Sequence, residues 1–122
     1  MTNHVLLDRQ GIIHSILEGD QDETTLDHLN AQSAKAIQRL QATQPDRPLK
    51  FLVNMSRVGS QTLSARQAAF KRLTTMSYEK IAIVGANRFI KHITALVIMA
   101  SGRGARIKQF DNEAKAMEWL TK

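Results

Sequence analysis

The chain has 122 residues, 43% of them hydrophobic, a formal net charge of +6 and no cysteine. That length suits one domain, 1–122, able to bury a core without staples. The missing cysteine excludes disulfides, thiolate catalysis and zinc–thiolate sites, and fits a reducing cytoplasm. The longest apolar runs, 81–86 and 95–100, fall far short of the ~20 residues that a membrane span needs. Residues 1–9 have neither a basic start nor a long apolar stretch, so no signal peptide is expected and the reading is cytoplasmic. The charge is uneven: residues 1–63 carry six Lys/Arg against seven Asp/Glu, and residues 64–122 carry eleven against four. These cations are scattered and lack interleaved aromatics, so nucleic acid is not the expected partner.

Taken in order, Val5–Asp8 and Ile12–Leu17 are short apolar segments around Arg9-Gln10-Gly11, which predicts a hairpin. An acidic loop from Glu18 to Glu23 follows. Thr24 or Thr25 is expected to cap a helix whose apolar stripe is Leu26, Leu29, Ser33, Ile37 and Leu40. Pro45 and Pro48 end it near Thr43. Leu49–Met55 reads as a buried strand, and Ser56–Leu63 as a polar loop. Ser64, with Gln67 three residues on, has the pattern of a capping box. The inner face of the helix it opens is predicted as Ala65, Ala68, Ala69, Leu73 and Met76.

Lys80–Val84 is a strand by its brevity and β-branched content. Asn87 is expected to cap the next helix, 88–101, and Gly102 to stop it in the left-handed conformation. That helix is apolar almost all round. Residues 89, 90, 93, 96, 97 and 100 are assigned to its core face, and Ile98 and Met99 are left over. Surplus apolar surface on a helix points to an interface or a lipid pocket. Homodimerisation is the first expectation, a ligand pocket the second, and cover by the C-terminal helix carrying Trp119 the plainest. Ala105–Phe110 is the last strand, and Asp111 or Asn112 caps the last helix. The order β-β-α-β-α-β-α-β-α implies an α/β fold with a mostly parallel five-stranded sheet and one antiparallel edge strand.

Two local patterns, with this order and length, resemble the STAS superfamily, named for sulfate transporters and anti-sigma-factor antagonists. The branch they resemble is the short bacterial SpoIIAA-like proteins, whose fold is also similar to CRAL-TRIO lipid-binding domains. One pattern is Asn54-Met55-Ser56-Arg57-Val58, similar to the family's Asp-Leu-Ser-x-Val. The other is the ending from Arg106 through Phe110-Asp111 and Ala114 to Trp119-Leu120. The resemblance covers Val5 to Leu120 and implies a non-catalytic regulatory domain. In phosphorylation-switch members, a Ser of Asp-Ser-Ser-Gly at a helix start accepts phosphate. The matching residues here are Thr62-Leu63-Ser64-Ala65, so Leu63 stands where the phosphoacceptor would be.

A strand followed by a polar loop and a helix start puts hydroxyls and backbone N–H groups at the carboxyl edge of a sheet, where open α/β folds place their sites. Asn54, Ser56, Arg57, Ser60, Thr62 and Ser64 are therefore the candidate contact residues for a partner protein or small ligand. Asn87, Arg88 and Lys91 form a second candidate group. Two cations in the first turn of a helix face its positive end with no acid beside them in sequence, and an anion or lipid headgroup would relieve the repulsion. Arg57 and Arg66 would join such a basic site. The four histidines show no metal-ligand spacing, and no phosphate-cradling or nucleophile motif is present, so neither metal, cofactor nor catalytic residue is assigned.

Overall fold

The computed structural model describes residues 3–122; residues 1–2, part of the stretch read for a signal peptide, lie outside it. The elements are β1 (His4–Leu7), β2 (Ile12–Gln21), α1 (Glu23–Thr43), β3 (Lys50–Gln61), α2 (Leu63–Thr75), β4 (Lys80–Val84), α3 (Arg88–Ser101), β5 (Ile107–Phe110) and α4 (Glu113–Leu120). They build one five-stranded sheet in the order β1-β2-β3-β4-β5. The β1–β2 pair is antiparallel and the other three pairs are parallel. The fold is the one expected.

The hairpin turns at Gly11, whose φ of +79° suits a residue without Cβ. Asp8 fastens it. One carboxylate oxygen accepts from the N–H groups of Gln10 and Ile12 at 2.8 and 3.0 Å, and the other faces His14 Nε2 at 2.7 Å. From β2 onward the chain steps across the sheet in one direction. Crossovers of one hand then put α1, α2 and α3 on the same face.

Alternation along the strands divides the core. Ile13, Phe51, Ile81, Ile83 and Ile107 face α1, α2 and α3, together with Leu73, Met76 and Ile98 from the helices. Ile12, Leu52, Ala82 and Val84 face the other way, onto Ala116 and Leu120 of α4. The last carbonyls of α4 are met by lysines from the starts of two strands. Lys50 donates to Leu120 O at 2.7 Å and Lys80 to Trp119 O at 2.8 Å. Positive charge there complements the helix dipole and ties α4 to the sheet.

Several local expectations are corrected. The acidic loop is largely strand, since β2 runs on to Gln21. Asp22, not Thr24 or Thr25, caps α1; its side chain accepts from Thr25 N while the Thr25 hydroxyl serves Asp22 N, a reciprocal box. The polar loop 56–63 is also mostly strand, because β3 extends to Gln61. Asn87 and Asn112 cap α3 and α4, and Gly102 has φ +72°, as its position predicts. Thr62, not Ser64, caps α2, with its hydroxyl accepting from Ala65 N at 3.1 Å. Ser64 is the second residue of the helix and is exposed. The last strand is shorter than expected, starting at Ile107.

Thr62→Ala should cost about 1 kcal/mol, the usual loss for a helix cap. Ser64→Ala should stay within about 0.5 kcal/mol, as for an ordinary surface change. Urea midpoints of the two variants would reverse in order if Ser64 were the cap. Asp8 predicts an acid limit. Burial alone would raise its pKa, but the bonds from His14, Ile12 and Gln10 outweigh that and hold it below the ordinary carboxylate value. A lowered native pKa contributes stability that is fully present above the unfolded value of about 3.9 and is lost as pH falls through the native one. Urea midpoints should therefore fall in that acid window, and Asp8→Asn should flatten the fall.

Candidate functional site

The β2–β3 pair outruns the rest of the sheet. The last β4 partner is Val84, opposite Asn54, whereas β3 continues for seven more residues against β2. Arg57 pairs with Glu18, Val58 with Gly19 and Gln61 with Gln21. Twice in this stretch β3 advances three residues while β2 advances two. Such bulges increase local twist, so the ribbon bends away from the sheet plane.

Polar side chains fix where pairing with β4 stops. Asn54 Oδ1 accepts from Ser56 N at 2.9 Å and Ser56 Oγ at 2.6 Å. Gly85, with φ +79°, then turns the chain directly against Ser56. A Cβ there would lie 2.6 Å from Ser56 N and 2.7 Å from Ser56 Cα, so only glycine fits. Farther out, Asp20 Oδ1 accepts from Ser60 N at 2.8 Å. That backbone bond, with help from the Ser60 side chain, lowers the Asp20 pKa. The ribbon base is locked by Gln21, 2% exposed, which exchanges bonds with Asn3 and donates to the carbonyls of Glu18 and Gly19.

Most residues predicted as contacts therefore have structural partners. Asn54, Ser56, Ser60 and Thr62 hold the ribbon and the start of α2. Arg57 sits 3.7 Å from Glu18 and is 71% exposed, a surface pair of small energetic value. Asn87 caps α3 by accepting from Ile90 N at 2.9 Å. The anion expected at Lys91 is supplied from within the fold. Asp111, at the β5–α4 junction, lies 3.2 Å from Lys91 Nζ, a contact that no local sequence window contains. Arg88 and Ser64 remain exposed at their helix starts.

What the sequence reading did not locate is a cavity. Of the predicted inner face of α2, only Ala65 is buried; Ala68 and Ala69 are exposed. α2 and α3 stand off the sheet, and α2 packs chiefly against its neighbouring helices. Ala65 packs into a core cluster with Leu17, Leu26 and Leu29, but Ala68 and Ala69 present too little volume to fill the space beside it. The space left has a volume of about 160 Å³. Its floor is Phe51, Val53, Met55, Ile81 and Ile83, its walls include Leu26 and Leu29 of α1 and Ile90 of α3, and α2 is its roof. A gap this size between apolar walls is far larger than native packing normally leaves.

Two polar side chains at this cavity are only partly satisfied. Gln61 Oε1 and Arg66 Nε are both buried atoms without a hydrogen-bond partner. The Arg66 guanidinium lies 5.2 Å from the centre of the Phe89 ring, a cation–π contact linking α2 to α3. Arg72 lines the cavity as well, and burial lowers its pKa. No Asp or Glu lies among the lining residues. A run of alanines on a helix expected to cover isoleucines and a phenylalanine was the signal available for this cavity.

The outer side of α3 also differs from expectation. Phe89 is 60% exposed, Leu96 52% and Met99 76%, and Ala100 is exposed too, so three residues assigned to the core face, Phe89, Leu96 and Ala100, point outward, while Ile98 packs inward. α4 cannot cover them, because it packs on the opposite face of the sheet. Among the described residues, no group of three or more His, Asp or Glu could hold a metal ion, and no helix is long and apolar enough to cross a membrane.

Comparison with known proteins agrees with the architecture. The SpoIIAA-like family model matches residues 12–121. An uncharacterized protein of the DUF3478 family from Shewanella loihica PV-4, described as having a SpoIIAA-like fold, superposes with a TM-score of 0.71. The likeness covers 98% of this chain and 93% of that one at 13% identity, so it speaks for the fold alone. No curated protein matches. With residues 12–121 inside the family match, and with the sheet order and helix placement described above, the chain belongs to the SpoIIAA-like family.

Proposed function

We propose that this is a non-catalytic, STAS-type binding domain of the cytoplasm that holds a small, mainly apolar molecule under α2 and offers the β2–β3 ribbon to a regulatory protein partner. The cavity carries this reading. Binding sites are typically apolar hollows with a few polar groups, and Gln61 and Arg66 supply those here. The family resemblance supports a regulatory role. Of the nine residues of the ribbon and helix starts, Asn54, Ser56, Ser60, Thr62 and Asn87 shape the backbone, and Arg57, Ser64, Arg88 and Lys91 are exposed and able to meet a partner. The basic excess of the second half makes an anionic ligand or lipid the alternative to a neutral one.

In solution, 1-octanol should shift the amide resonances of residues around the cavity in the wild type. Ala69→Leu, which fills the space from α2, should fold normally and abolish those shifts. Shifts that persist unchanged in the variant would place the alcohol elsewhere. The stripe of Phe89, Leu96 and Met99 supports a second part of the proposal, pairing with another copy of this chain through α3. Equilibrium sedimentation at micromolar concentration should give a dimer, and Leu96→Glu with Met99→Glu a monomer. A wild type that stays monomeric would remove this part.

A further inference from the structure

Resting on the cavity reading above, we propose that the ligand is a medium-chain carboxylate, with its chain in the cavity and its carboxylate held at the mouth by Arg66. Three observations converge. First, the Nε–H of Arg66 is a buried donor with nothing to donate to. A buried unsatisfied donor on a cation costs more than a neutral one, so the site is incomplete as it stands. The contact with Phe89 uses the charge of the guanidinium and does not satisfy its N–H donors. The guanidinium edge is the part that pairs with carboxylates.

Second, the charge at the cavity is one-sided. Arg66 and Arg72 both line it, and no acidic residue does. Two cations beside an apolar hollow, without a carboxylate from the chain, leave an anion as the complementary group. Lys91 makes the contrast: there the fold provides Asp111. Third, Gln61 Oε1 is unpartnered at the same cavity. The Gln61 amide can turn about its last bond and offer its N–H₂ to a carboxylate oxygen. The second oxygen then remains for Arg66.

The volume sets the size class. About 160 Å³ is close to the space that holds one benzene-sized molecule. A chain of about eight carbons fits if its polar end lies at the mouth and not inside. Longer acyl chains would have to protrude between α2 and α3.

The test compares two probes of equal length, octanoate and 1-octanol, by calorimetry on the wild type and Arg66→Gln. Octanoate should bind the wild type at least about tenfold more tightly than the alcohol, as a charge-assisted bond to a guanidinium allows. Arg66→Gln should bring octanoate down to the affinity of 1-octanol, with the circular dichroism spectrum and urea midpoint of the variant showing that it is folded. Equal affinities for the two probes in the wild type would overturn the carboxylate proposal and leave the apolar cavity standing. An octanoate advantage that survives Arg66→Gln would overturn the role of Arg66. Binding of neither probe would overturn the cavity reading itself.

Discussion

The parallel pairing of β3 with both β2 and β4 is the constraint on which the rest depends. Each crossover must be right-handed, and the strands follow one another across the sheet without reversal. Three helices therefore crowd one face, and α4 alone is left for the other. Because α1, α2 and α3 must share that face, the separation of each from the strands is set by the side chains between them. α1 contributes Leu26, Leu29 and Leu40 and packs closely. α2 packs at its ends, through Ala65 and Leu73, and leaves space where Ala68 and Ala69 lie between them. The cavity is the geometric remainder of a helix held in place by its neighbours but too thin on its inner face to fill the gap.

The same pairing explains the ribbon. β4 ends at Val84 because Gly85 must turn against Ser56, and because Asn54 has already bonded the N–H of Ser56. β2 has no such stop and follows β3 outward through two bulges. The result is a narrow two-stranded extension that ends at Gln61, beside the cavity. Asp20 and Gln21 hold it through bonds to backbone, so its polar residues are spent mainly on shape. The Asn54 amide and the Thr62 hydroxyl are already engaged with backbone N–H groups. The close Asp8–His14 pair lies at the hairpin, where it fastens β1 to β2.

The sequence by itself determined the kind and order of the elements. Periods of 2 and 3.6, turn residues and caps are local properties, and they located the hairpin at Gly11, the cap at Asn87, the stop at Gly102 and the breaks at Pro45 and Pro48. The family patterns around Asn54 and Trp119 were legible for the same reason. Tertiary structure alone decided how long β3 is, because a polar stretch such as Ser56–Gln61 becomes strand only when β2 lies beside it. It decided which hydroxyl caps α2, because strand pairing carried to Gln61 moves the helix start to Thr62. It set Asp111 against Lys91 across twenty residues of chain. Above all it decided that Ala68 and Ala69 of α2 line a hollow and do not fill a core. Whether small side chains pack or leave space depends on how near the opposite wall stands, and that distance is fixed by strands and helices remote in sequence.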